Sequence, residues 1–325
     1  MAKNPDDSDL ADIQGRETVT RYHGVLLLDK PAGISSNVAL QRVRRLYAWS
    51  KAGHTGTLDP LATGLLPICL GEATKFSHAL LDADKSYEAS IQLGFMSSTG
   101  DAEGVLVPYG KPDFTAARLQ QVLDSFIGPS EQIPPMHSAL KKDGKPLYRY
   151  ARAGETVVRL PRKIIINTMQ DIYYKEDILN ISVCCSKGTY IRVLAEDLGK
   201  ALGCGGYLLA LRRTGIRDLG LSEAISLDKL GEMDEFSRFA RLLPVDRLVE
   251  ILPAVHLGGE ASQRMKNGLV VSEAGAPAGL VRLYDSTRAF LGLGESRSDG
   301  TLIAKRLVSH LPRSKKQAFS PRLSP

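Results

Sequence analysis

Cysteine is scarce in this chain of 325 residues: it has only Cys69, Cys184, Cys185 and Cys204, and no CxxC pair occurs among them. That argues against a zinc site and against a disulfide framework; each thiol, in an apolar or glycine-rich neighbourhood, is expected reduced and partly buried. Long hydrophobic runs are missing too. None approaches the ~20 apolar residues a membrane helix needs, and the acidic, polar N-terminus has no signal-peptide pattern. A cytoplasmic protein with no membrane partner is therefore expected. The sequence also lacks clustered His, Cys and Asp ligands and a phosphate-binding loop. Gly203-Cys204-Gly205-Gly206 has the glycines of such a loop but follows a helical pattern rather than a strand, so it reads as a helix C-cap.

What is present is the balance of an ordinary globular protein, with 43% hydrophobic and 24% charged residues. The length allows a sizeable core and suggests two domains. Net charge is +6, unevenly spread. Residues 1–21 carry three basic and five acidic residues, so the rest of the chain carries +8, and residues 313–325 supply four of those charges without an acid. A basic body suits a polyanionic partner, although many enzymes are this basic for solubility alone.

Residues 1–21 have no apolar periodicity and are expected to be a disordered tail. Gly24 to Asp29 reads as a buried strand ending in a Lys-Pro-Ala-Gly turn. Ser35 or Ser36 can cap a helix whose Ala39, Val43, Leu46 and Tyr47 share one face. Residues 73–81 are expected helical, and residues 86–95 alternate as a half-buried strand. Thr115 caps a helix with Leu119, Val122, Leu123 and Phe126 in phase. Residues 133–162 are long, basic and aperiodic, with Lys141, Lys142, Lys145, Arg149 and Arg152 interleaved with Tyr148 and Tyr150. Loops that long in compact domains are functional or mobile. Strands are expected over 163–174 and 178–186, then a helix carrying Ile191, Leu194, Ala195, Leu198 and Leu202 on one face. A Leu/Arg-rich helical stretch follows and ends near Pro253, and short strands over 280–284, 289–295 and 302–308 indicate a small β-rich second domain. The order gives an α+β protein with a largely antiparallel mixed sheet flanked by helices.

The densest signal is GHTGTLDPLATGLLP, residues 53–67, which holds one carboxylate, Asp59, amid Gly53, Gly56, Pro60 and Gly64. On its own an Asp-Pro pair more often opens a turn than carries chemistry. The whole string, together with GVLLLDKPAGISSN, DKSYEASIQLG, IPPMHSALKKDGKPLYRYARAG and CSKGTYIRVLAEDLGKALGCGGYLLALRRT in that order, resembles the bacterial TruB-type pseudouridine synthases. The resemblance covers residues 23 to about 310. His137 departs from it, standing where the family more often has tyrosine.

The resemblance implies a catalytic domain over 22–250, with 133–162 as an RNA-gripping flap. It also implies a PUA-like RNA-binding domain over 251–312 and leaves 313–325 as a basic tail. It implies isomerisation of uridine 55 in the TΨC loop of tRNA. Asp59 would be the nucleophile, Arg192 the cation that keeps it ionised, and Tyr87 the aromatic that stacks on the target base and takes part in C5 deprotonation. His54 would help displace the nucleotide, and Tyr190 and Leu211 would line the uracil pocket. Lys30 and Lys75 would contact phosphate or support the active-site loop. The isomerisation imports no group and moves no electrons, so neither cofactor nor metal is expected. The tRNA stem-loop is the expected partner of a monomer with no obligate protein partner. Two rival readings, an RNA-folding module with incidental catalysis and a synthase paired with guide RNAs, share parts of this pattern.

Overall fold

The structure, a computed structural model, describes residues 23–273 and 275–309. The N-terminal tail of 1–21 and the basic tail of 313–325 lie outside the described residues. A ten-stranded sheet forms the body. Its main path runs Ile225–Ser226, Gly24–Lys30, Thr63–Leu70, Gly206–Ile216, Lys85–Leu93, Ile178–Cys185, Arg162–Lys175, Gly128–Gln132. Along that path only Ile225–Ser226 with Gly24–Lys30, and Thr63–Leu70 with Gly206–Ile216, pair in parallel. The sheet is therefore mixed and largely antiparallel, as its alternating strands predict.

Local chemistry sets the helices beside it. Ser35 is the N-cap of Ser36–Leu46, its hydroxyl accepting from Val38 N at 3.2 Å, and Ala39, Leu40 and Val43 turn inward against Leu26, Leu28, Leu66 and Ile68. Thr115 caps Ala116–Ser125, which with Ile191–Ala201 covers Ala89, Ile91, Leu179, Ile181 and Val183. Each helix buries the stripe its spacing marks out.

Two expectations are corrected. Residues 73–81 are not one helix: a 3-10 turn, Gly71–Lys75, is followed by a single helical turn, His78–Leu81. The Leu/Arg-rich stretch expected to be helical begins instead with the central strand Gly206–Ile216, and its helices are only Leu227–Glu232 and Glu235–Ala240 with 3-10 turns around them. Leu, Ala and Arg favour helix weakly. Backbone pairing to Lys85–Leu93 on one side and Thr63–Leu70 on the other outweighs that preference.

A second, five-stranded sheet is built from Ala254–His256, Gly279–Tyr284, Phe290–Ser296, Thr301–Leu307 and Val271–Ser272 around its own core of Val255, Met265, Val281, Leu283 and Leu302. It docks through Phe290, whose ring meets Phe76 edge-on at 5.4 Å, and through Lys75, which donates to Leu307 O at 3.0 Å.

Candidate active site

The loop carrying Asp59 is clamped from both flanks. Lys30 is wholly buried, and its Nζ donates to Pro31 O and Ile34 O, each at 2.8 Å, and to Pro60 O at 3.5 Å. Gly33 N donates to Pro60 O at 2.8 Å. Ser36 closes a reciprocal pair, donating to Leu58 O at 2.9 Å and accepting from Leu58 N at 2.7 Å. The carboxylate is thus held by backbone contacts on either side of it, and its freedom is that of one side chain.

Arg192 meets it from the first turn of Ile191–Ala201. Its Nη2 stands 3.0 Å from Asp59 Oδ2 and donates to His137 O at 2.7 Å. Its Nη1 stands 3.5 Å from Asp101 Oδ2 and donates to Thr99 O at 3.2 Å. The contact at position 137 is to the main chain, so histidine in place of tyrosine leaves it intact. Asp101 is itself fixed, Oδ1 accepting from Thr99 Oγ1 at 2.5 Å and from Glu103 N at 3.1 Å. The Arg192 side chain is 6% exposed and that of Asp59 41%, so the cation is buried and the carboxylate faces the opening. Burial is the largest influence on Asp59 and raises its carboxyl above the ordinary range. Arg192 opposes the shift, Asp101 adds to it and Lys30 opposes it. Burial also brings the Lys30 ammonium down to about 8, an effect Asp59 resists.

Tyr87 and Leu211 project between the two halves of the core and pack against both. The Tyr87 hydroxyl is raised by burial, with Arg213 acting against that rise. With Asp59, Tyr190, Arg192 and Arg213 they line a cavity of about 410 Å³. Tyr190 is pinned by Gln132, whose Oε1 accepts from Tyr190 N at 3.0 Å. A second cavity, of about 490 Å³, adjoins it and shares Asp59 and Arg192; His54, Asp101, Tyr148 and Arg152 line its outer part. Burial lowers the His54 imidazole, and Arg213 lowers it further, so the ring is neutral near pH 7.

The structure therefore gathers Asp59, Tyr87, Arg192, His54, Tyr190 and Leu211 at one cleft and places Lys30 beneath its loop. Lys75 is elsewhere, paired with Glu72 and bonded to the C-terminal sheet. The sequence did not point to Asp101 or Arg213, and it offered Ser36 only as a candidate helix cap, a place Ser35 takes, rather than as the clamp on Leu58. Arg213 lies inside the LLALRRT string, and only its burial distinguishes it from Arg212. Among the described residues no group of three or more His, Cys, Asp or Glu side chains could hold a metal ion. None of the helices there is long and apolar enough to cross a membrane.

Comparison with known proteins gives consistent matches along the chain. Residues 44–191 match the model of the TruB family pseudouridylate synthase N-terminal domain. Residues 192–250 match the tRNA pseudouridylate synthase B C-terminal domain, and residues 253–308 the pseudouridine synthase II TruB C-terminal model. The chain is 52% identical over 296 residues to the tRNA pseudouridine synthase B of Dechloromonas aromatica, covering 91% of this chain and 99% of that one. It is 52% identical over 286 residues to the same enzyme of Aromatoleum aromaticum, covering 88% and 92%. Among solved structures, a chain of a Cbf5–Nop10–Gar1 complex matches with TM-score 0.62 and 28% identity over 84% of this chain and 78% of that one. A chain of an H/ACA RNP bound to a substrate RNA containing 2′-deoxyuridine matches with TM-score 0.63 and 25% identity, over 88% and 85%.

Proposed function

The chain belongs to the TruB family of pseudouridylate synthases, enzymes that isomerise uridine to pseudouridine, and on that premise we propose that it acts on uridine 55 in the TΨC loop of tRNA with Asp59 as nucleophile. The observation that carries this reading is the 3.0 Å contact between Asp59 and a buried Arg192, at the junction of two cavities lined by aromatic side chains. Arginine stays charged when buried, so it keeps the carboxylate anionic in a site whose burial favours the neutral form. The anion adds to uracil C6 or attacks ribose C1′, or assists departure of the base. Each route breaks the N1–C1′ bond while the pocket retains the uracil. The ring turns, C5 bonds to C1′, and the C5 proton leaves. Nothing is oxidised or reduced.

A stacked uridine cannot present C1′ to Asp59, so it is extruded, at a cost of a few kcal/mol. His54 and Tyr148, at the outer cavity, are placed to stack on the displaced loop and offset part of that cost. The inner cavity, with Tyr87, Tyr190 and Leu211, would receive the uracil. We assign the phosphate grip to residues 133–162, where Lys141, Lys142, Arg149 and Arg152 are exposed. The C-terminal sheet, from about residue 251, would extend the RNA contact, and the enzyme would work in the cytoplasm as a monomer. Asp59→Asn tests the core of the reading. The variant should retain tRNA on a filter yet form no pseudouridine detectable by chemical mapping at position 55. Full activity in that variant would remove the mechanism.

A further inference from the structure

Arg213 is a large side chain only 1% exposed, and among the described residues no carboxylate pairs with its charge. Its Nε donates to Leu65 O at 2.7 Å and its Nη2 to Gly56 O at 3.1 Å, so two carbonyls take its protons. A buried guanidinium answered only by neutral groups is costly to keep. Fixed in this way, it presents its remaining charge to whatever shares the pocket.

Its neighbour there is Tyr87. The two residues are direct register partners between Gly206–Ile216 and Lys85–Leu93. The same strand also meets Gly64, across the parallel pair Arg213↔Gly64. A Cβ at Gly64, whose φ is +99°, would fall 2.3 Å from Arg213 O, so glycine is what allows the Asp59 loop to lie against this strand. One guanidinium thus bonds to Gly56 in the nucleophile loop and to Leu65 near the start of the following strand, and it lines the cavity beside the tyrosine of the adjacent strand. Other titratable groups around Tyr87 are Lys85 on its own strand, Cys185 on the adjacent strand and Asp59 on the loop. The Lys85 ammonium is spent on Leu80 O, Leu81 O and Ala83 O.

We propose that Arg213 is a positioning residue for the last step of the reaction, holding the Tyr87 hydroxyl toward the isomerised base and stabilising the negative charge that develops on its oxygen as it relays the C5 proton. This rests on the functional reading above. In that step the C5–H bond breaks and its electron pair forms the C5–C6 double bond. The C6–N1 double bond opens onto N1, the proton passes to the Tyr87 oxygen, and N1 takes up a proton from water. The net change is one proton moved from C5 to N1. The Tyr87 hydroxyl is protonated at rest, so it gives its own proton to water as the C5 proton arrives and ends the step as a hydroxyl again.

The test uses the full-length enzyme and tRNA transcripts carrying protium or deuterium at uridine C5, under single-turnover conditions. Arg213→Gln should slow pseudouridine formation by about 10²-fold or more, the size of an acid–base contribution. It should also show a larger 5-deuterium isotope effect than the wild type, because deprotonation becomes limiting. Arg213→Lys, which keeps the charge, should slow the reaction less, with an isotope effect between the two. If Arg213→Gln does not fold, as judged by thermal unfolding and tRNA retention, the Arg213→Lys isotope effect alone decides. A slower reaction in the folded variant with an isotope effect equal to that of the wild type would overturn the proposal and leave Arg213 as loop support. Absence of pseudouridine from the wild-type reaction would instead refute the functional reading itself.

Discussion

At the scale of single residues the site is an arrangement of unequal charges. Asp59 and Asp101 share one guanidinium, so the pair of carboxylates outweighs the cation between them. In the proposed mechanism Asp59 reacts as the anion, and its carboxyl titrates above the ordinary range, chiefly through burial. The acid limb of the single-turnover rate should therefore lie above the usual carboxylate value. Asp101 contributes to that upward shift, so Asp101→Asn, a substitution of the same shape, should move the limb to lower pH. It should also lower the plateau, because Arg192 would be held less firmly. A pH–rate profile whose limb stays in place or moves upward would contradict this picture. Asp59 was legible from its string of neighbours. Asp101 was not, because its relevance comes from a contact to Arg192, which is 91 residues away in sequence.

At the scale of elements, residues 133–162 show how a segment without periodicity can still be ordered. Lys141–Lys142 and Lys145–Pro146 form a two-stranded ribbon, and Leu147–Arg152 makes a short helix anchored by the buried Leu147. Lys145 lies 4.3 Å from the Tyr150 ring centroid, and Arg152 lies 5.5 Å from that of Tyr148. The charged ends of Lys141, Lys142, Arg149 and Arg152 remain outside. Replacing these four by alanine should leave the unfolding midpoint close to that of the wild type. The slope of log affinity against log salt should fall by about 1 for each phosphate that these side chains neutralise. A salt titration with the original slope would show that the flap does not meet the backbone of the RNA. Here the sequence showed the basic and aromatic composition of the segment and its lack of periodicity. The ribbon was beyond reach, because two-residue strands leave no pattern of period two to detect.

At the scale of the whole molecule, the C-terminal five-stranded sheet is fixed to the ten-stranded body by few polar contacts. Lys75 Nζ reaches Leu307 O and Ser309 Oγ, both at 3.0 Å, and Arg306 Nε donates to Lys75 O at 3.2 Å. Lys75→Ala should lower global stability by about 1 kcal/mol in urea unfolding. It should also weaken tRNA binding and leave the single-turnover rate at saturating tRNA unchanged; a fall in that rate would place Lys75 in the chemistry after all. The amino-acid order alone settled what depends on near neighbours: a helix cap at Ser35 or Ser36 and another at Thr115, the alternating strands, the inward stripes of the helices, and the one carboxylate framed by glycines. Tertiary structure decided what depends on partners far along the chain. A Leu/Arg-rich stretch became the central strand because two others stood ready to bond to it. That strand set Arg213 opposite Tyr87 and beneath the Asp59 loop, a meeting of segments that short-range propensity does not encode.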